Sequence, residues 1–224
     1  MLFGAGRGPR RVLFGAGRGI RIVADPAVDS QRLLGLAEAE LSPWFRRLAP
    51  ACATFCDVGA SNGWYGLLVR RLNPSARIIA CEPEKRFHVE FQQNAALNDL
   101  DVNETFHWVP DLVGTSNVRL DDLLADSPDP VLLKIDVEGA DVDVLKSGRA
   151  ILDRGTTMAV LETHSAELEN TCHATLAVLG YNITIIRPAP WRAIAPERRL
   201  LPHNRWLVAL GPETPRTLAG RAGA

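Results

Sequence analysis

The chain has 224 residues, 46% hydrophobic and 23% charged, with a formal net charge of −1. That composition excludes a disordered or fibrous chain, and the near-neutral balance gives no global attraction to nucleic acid or to a membrane surface. A chain of this length buries roughly 70% of its unfolded surface and needs no disulfide or metal staple. The four cysteines, Cys52, Cys56, Cys81 and Cys172, show neither C-x-x-C spacing nor a Cys/His ligand cluster, so no zinc module is expected and no metal is called for. No apolar run reaches the ~18 residues of a membrane span. The start lacks a secretory apolar core, and the expected location is the cytoplasm.

In chain order, the first 24 residues hold five arginines and no acid. They read as a basic, glycine-rich extension without order of its own. Met1–Gly8 recurs as Val12–Gly19. Two copies are too few for a repeat architecture, so a duplicated or over-extended start is the expectation. The glycines of the two copies lack the third position of G-x-G-x-x-G. Residues 25–52 are expected to cover the site with two helices over 31–48: one capped by Ser30 with Leu33, Leu34, Ala37 and Leu41 on one face, the next opened by Pro43.

From residue 54 strands and helices alternate. Strands are expected at 54–60, 77–83, 104–111, 131–137, 157–163, 182–187 and 205–210. Helices are expected at 63–72, 84–98, 120–125, 141–152 and 166–179. This alternation specifies an α/β, Rossmann-like, doubly wound sheet, mostly parallel and covered by helices on both faces. No helix separates the last two strands, so they should pair antiparallel near one edge. The core domain is expected over 53–211, and 212–224 reads as a flexible tail.

In doubly wound folds ligands bind beyond the carboxyl ends of the strands, and acids stand at those ends here. Cys56-Asp57-Val58-Gly59-Ala60-Ser61-Asn62-Gly63 ends a strand on an acid and turns through glycines into a helix. A carboxylate before the glycines would repel a diphosphate and suit a cationic group. Gly59 permits a sharp turn, and Gly63 opens a helix whose amides carry partial positive charge. Glu82-Pro83 ends the second strand, where the two carboxylate oxygens can accept both hydroxyls of a ribose. The bland alternatives are a turn-capping Asp57 and a helix-capping Glu82. Asp136 and Glu138 end the fourth strand, where a helix cap is again the alternative. Lys134, inside that strand, reads as an edge contact or local ion partner. Glu162, Thr163 and His164 end the fifth strand, and His164 stands where a general base would be useful.

Together these residues resemble the FkbM-type family of class I S-adenosylmethionine-dependent methyltransferases. The resemblance runs from about Gly17 to Gly211. It rests on Asp57-Val58-Gly59-Ala60, Gly63, Glu82-Pro83, Asn94-x-x-Leu97-Asn98, Leu120-Asp121-Asp122-Leu123-Leu124, Lys134-Ile135-Asp136-Val137-Glu138-Gly139-Ala140 and Leu161-Glu162-Thr163-His164. It implies a seven-stranded sheet with an antiparallel last strand and transfer of a methyl group to a hydroxyl of a sugar, polyketide or other small molecule. S-adenosylmethionine would be the donor and S-adenosylhomocysteine the product. The donor-binding candidates are then Asp57, Gly59, Ala60, Ser61, Gly63, Glu82, Pro83 and Asp136. The candidates for the base are Asp136, Glu138 and His164. Ser61 stands where relatives often carry Gly or Asn, Ala37 where they often carry an aromatic residue, and the 111–120 stretch is shorter than usual. That short stretch motivates one alternative, a catalytically impaired donor-binding or scaffold protein. A nicotinamide-dependent oxidoreductase is a further alternative, against which stands the absence of G-x-G-x-x-G after the first strand.

Overall fold

The computed structural model describes residues 6–196 and 205–219. The chain opens with an antiparallel hairpin of β1 (Gly8–Arg11) and β2 (Arg21–Ala24). The second copy of the glycine-rich octapeptide is the connection between these strands, while residues 1–5 of the first copy lie outside the described residues. The segment expected as an extension therefore holds a two-stranded structure, and tertiary partners account for it. Asn98 accepts from the Arg21 amide (3.0 Å) and donates to the Arg21 carbonyl (2.7 Å), so its side-chain amide stands in for a neighbouring strand. Asn94 accepts from the Val23 amide at 2.7 Å.

Helix α1 (Pro26–Leu33) is capped by Asp25, which accepts from Ala27, and has Pro26 at its start. The expected Ser30 cap is thus corrected. Asp25-Pro26 is the stronger start signal, a capping carboxylate followed by a residue with no amide to satisfy. A short 3-10 turn, Ala39–Leu41, leads into α2 (Ser42–Leu48), which carries Pro43 in its first turn as expected.

The main sheet contains β3 (Thr54–Val58), β4 (Arg77–Cys81), β5 (Phe106–Val109), β6 (Val131–Ile135), β7 (Met158–Thr163), β8 (Asn182–Ile186) and β9 (Arg205–Leu210). Its order is β5-β4-β3-β6-β7-β9-β8. The strands from β5 to β7 are parallel, and β9 runs antiparallel to both of its neighbours. The expected mostly parallel seven-stranded sheet with an antiparallel last strand is what forms. The last two strands do pair, but β9 sits inside the sheet and β8 takes the edge.

Helices α3 (Trp64–Leu72), α4 (Lys85–Leu97), α5 (Val102–Thr105), α6 (Leu120–Leu123), α7 (Asp141–Ser147), α8 (Arg149–Asp153) and α9 (Ala166–Val178) connect the strands. The helix expected over 141–152 is broken at Gly148 into α7 and α8. Asp121 of the Leu-Asp-Asp-Leu-Leu run accepts from the Ile151 amide at 3.0 Å and ties α6 to the second piece.

Because strand side chains alternate, the sheet divides the interior into two apolar layers. Phe55, Ile78, Leu132 and Val160 face one layer with α2, α3 and the hairpin. Cys56, Ile79, Leu133 and Leu161 face the other, with α7 to α9. The cysteines are buried and free. Of the expected tail, residues 212–219 are described: Glu213 donates to the Gly155 carbonyl at 2.9 Å and a 3-10 turn covers Arg216–Ala219. Residues 220–224 lie outside the described residues.

Candidate active site

The first of the two layers becomes polar at the carboxyl ends of its strands. Asp57, Glu82, Lys134, Asp136, Glu162 and His164 continue the alternation of β3, β4, β6 and β7 on that side, beyond Phe55, Ala80, Leu132 and Val160.

The turn after β3 is built around two glycines in the left-handed region. Gly59 has φ +82°, and a side chain there would run into the Asp136 carbonyl. Gly63 has φ +79°, and a side chain there would strike the Phe91 ring. Both glycines are therefore demanded by packing between neighbouring elements, before any ligand is considered. Ser61 adopts φ +46°, a conformation that Gly or Asn holds with less strain. Its amide donates to Glu82 Oε2 at 3.0 Å, and the Glu84 amide donates to Glu82 Oε1 at 3.0 Å. Glu82 is buried, and each of its oxygens keeps a further lone pair for an incoming hydroxyl. Pro83 is exposed beside it, and Ala60 is buried under the turn. Asn94 spans this turn and the hairpin, since its Nδ2 donates to the Asn62 carbonyl at 3.0 Å.

Asp57 does not face the cleft. It is 1% exposed and pairs with Lys134, whose Nζ lies 3.1 Å from Asp57 Oδ1. The register makes this contact, because Asp57 and Lys134 are partners across β3 and β6. Lys134 also donates to the Gly59 carbonyl at 3.0 Å, lies 3.4 Å from Asp136 Oδ2, and sits 5.1 Å from the centre of the Tyr65 ring. Burial alone would discharge this lysine. The carboxylates of Asp57, Asp136 and Glu38 outweigh it and hold the ammonium well above its ordinary range. Burial pushes Asp57 up to about 6, with Lys134 pulling it back. The lysine read from sequence as a local ion partner is thus the hub of the site's charges.

Asp136 lines the cleft. Burial opposes its ionisation, but Lys134, Glu162 and His164 together hold its carboxyl below the ordinary value. His164 Nε2 lies 3.8 Å from Asp136 Oδ1. Glu162 is pushed up to about 9 by burial first and by the Asp136 charge second. Glu138 is exposed and shares no ion pair with this group among the described residues.

Glu38, not singled out by sequence reasoning, comes from the N-terminal segment. Its φ is +48° and it accepts from the Tyr65 hydroxyl at 2.7 Å and from Arg32 at 3.2 Å. A left-handed glutamate held by two donors is a strained element of the kind that collects at functional sites. Glu38, Asp29, Arg32, residues 59–62 and Asp136 line a cleft of about 220 Å³. The signal that could have found Glu162 and Lys134 is strand parity: each stands two residues before an already chosen site residue, on the same face. Glu38 carried no such local signal. The short 111–120 segment is pinned, with the Thr115 amide and hydroxyl donating to Asp143 at 2.9 and 2.6 Å.

The sheet order and the acid-ended strands are those of the class I methyltransferase fold, whose members use S-adenosylmethionine. Within it, residues 111–183 match the methyltransferase FkbM domain model, which bears out the resemblance seen in the sequence. Solved structures of similar fold include methyltransferase FkbM from Methylobacillus flagellatus KT, with a TM-score of 0.56 and 16% identity over 70% of this chain. This chain spans 43% of that protein. An rRNA methylase from Streptococcus thermophilus matches with a TM-score of 0.53 and 13% identity, covering 77% of this chain and 96% of that one. A precorrin-6y C5,15-methyltransferase from Geobacter metallireducens GS-15 matches with a TM-score of 0.51 and 16% identity, covering 78% and 88%. At these identities the likeness is one of fold. None of the curated proteins matches the sequence. Among the described residues no helix is long and apolar enough to cross a membrane.

Proposed function

We propose that this chain binds S-adenosylmethionine through Glu82 and the 59–63 turn and methylates a hydroxyl of a small molecule. The observation that carries the reading is the state of Glu82. It is a buried carboxylate, fixed by two backbone amides, with acceptor capacity left over at the carboxyl end of β4. A ribose presents the pair of hydroxyl donors such a group needs. The donor supplies a methyl group already activated on a sulfonium, so the protein's task is mainly alignment, which can contribute ~7–11 kcal/mol. With Asp57 turned toward Lys134, the carboxylates that can meet the donor's cationic end are Asp136 and Glu38, both at the cleft. Asp136 and His164 are placed to take the acceptor's proton; exposed Glu138 is not part of this arrangement.

The polar walls of the cleft favour a polar small-molecule acceptor. The fold itself hosts acceptors as different as those named for the rRNA and precorrin enzymes, so the acceptor class rests on the cleft. The test is calorimetric titration of the folded protein with S-adenosylmethionine and, separately, NAD. Binding of the former at micromolar concentration, weakened at least about tenfold in Glu82→Gln (about 1.4 kcal/mol), is the expected result. Binding of NAD alone, or no loss in the variant, would overturn the reading. Donor binding without turnover across a panel of sugar and polyketide alcohols would favour the second reading, a donor-binding scaffold, which the short 111–120 connection motivates.

A further inference from the structure

We propose that Asp136, Glu162 and His164 form a site for a divalent cation of the manganese or zinc type. One ligand atom from each of these three residues lies within 4.8 Å of the others. They come from the carboxyl ends of two adjacent parallel strands, β6 and β7, so the spacing is set by the sheet and not by a loose loop. Two carboxylate oxygens and one imidazole nitrogen make a mixed donor set that suits borderline ions better than the oxygen-only preference of magnesium.

A second observation points to a ligand. Glu162 is 6% exposed, and the group it faces is the Asp136 carboxylate, another acceptor. Its hydrogen-bond partner is that same carboxyl group. Two facing carboxyl groups repel when both are ionised, and a cation between them relieves that repulsion. Lys134 does not fill that role. It lies 3.4 Å from Asp136 Oδ2 and is shared with Asp57 and the Gly59 carbonyl. The other oxygen, Oδ1, is the one that faces His164, at 3.8 Å, too far for a hydrogen bond and within the span of two ligands about one ion. The cleft side of Asp136 leaves room for further ligands from water or from the acceptor.

The site's existence does not depend on methyl transfer, but its role rests on the reading above and sharpens it. A cation there would lower the pKa of an acceptor hydroxyl. The hydroxyl proton would then leave to water. The oxygen would bond to the methyl carbon as the carbon–sulfur bond breaks, with that electron pair remaining on sulfur. His164 would serve as a ligand in place of a proton acceptor.

The test uses tag-free full-length protein, freed of metal with a chelator and checked for folding by circular dichroism. It is titrated in separate runs with Mn²⁺, Zn²⁺ and Mg²⁺ alone, and with S-adenosylmethionine alone. One equivalent of Mn²⁺ or Zn²⁺ should bind, with Mg²⁺ weaker. Glu162→Gln and His164→Ala should each weaken it about tenfold or more, while Glu82→Gln leaves it unchanged. No binding to the folded protein, or equal binding in both ligand variants, overturns the cation site. Donor binding without metal binding removes this inference alone. Metal binding without donor binding removes the donor reading alone.

Discussion

The two faces of the central sheet use the same strands and end differently. On the side of α7 to α9, β3, β4, β6 and β7 stay apolar to their last residues, through Val58, Cys81, Ile135 and Leu161. On the side of the hairpin and α3, the same strands finish in Asp57, Glu82, Lys134, Asp136 and Glu162. A period of two therefore separates packing from chemistry within a single layer of backbone. Buried charge is tolerated on one face because each group there has been given a partner or a place at the cleft. The other face has no such provision.

The sharpest way to break this contrast is Lys134→Met. It strands Asp57 without its counter-ion and should cost about 3–5 kcal/mol of stability in urea denaturation. Adding Asp57→Asn should recover a large part of that loss. Leu133→Ala, one residue away on the apolar face, should cost a comparable ~2–5 kcal/mol by leaving a cavity, and Asp57→Asn should recover none of it. Equal behaviour of the two double variants would erase the distinction between the faces.

A smaller effect comes from an acid on the apolar side. Asp141 begins α7 fully buried, its carboxylate oxygens without a hydrogen-bond partner among the described residues, and burial pushes it up to about 7 from an ordinary 3.8. The folded protein thus keeps a proton that the unfolded chain has already released. Its contribution to stability is fully present below about pH 4 and is lost as pH rises through about 7. Asp141→Asn should raise stability by roughly 1–3 kcal/mol at pH 8 and by nothing at pH 4. Thermal melts at the two pH values decide it, and a gain independent of pH would show that ionisation is not the cause. The smallest effect concerns Ser61. Ser61→Gly should relieve its left-handed backbone and stabilise the fold by about 1 kcal/mol, with donor affinity retained because the Glu82 contact is made by the backbone amide. A destabilised Gly variant would show that the serine hydroxyl matters more than the strain.

Much of this was legible in the chain. Apolar runs ending on Asp57, Glu82, Asp136 and Glu162 fixed the strands, their direction and the end that carries the cleft. Local chemistry also marked Gly59 and Gly63, although the structure assigns their need to the Asp136 carbonyl and the Phe91 ring as well as to the turn. The partner of Asp57 was not legible, because Lys134 meets it only through a register set 77 residues away. For the same reason the hairpin was missed. Its strands carry Gly, Pro and Arg and are held by Asn94 and Asn98, more than 70 residues downstream. Asp25-Pro26 was a readable helix start that the later Ser30 obscured.

The place of β9 has a consequence for the order in which the molecule can be made. Residues 205–210 lie between β7 and β8, which are synthesised earlier and do not touch one another in the sheet. Until β9 leaves the ribosome, β7 presents an unpaired edge beside Glu162, and β8 has no strand to lie against. Open edges of this kind are where nascent chains pair wrongly. Strands β3 to β7 can assemble early in synthesis, whereas β7 and β8 gain their shared neighbour only once residues 205–210 have been made.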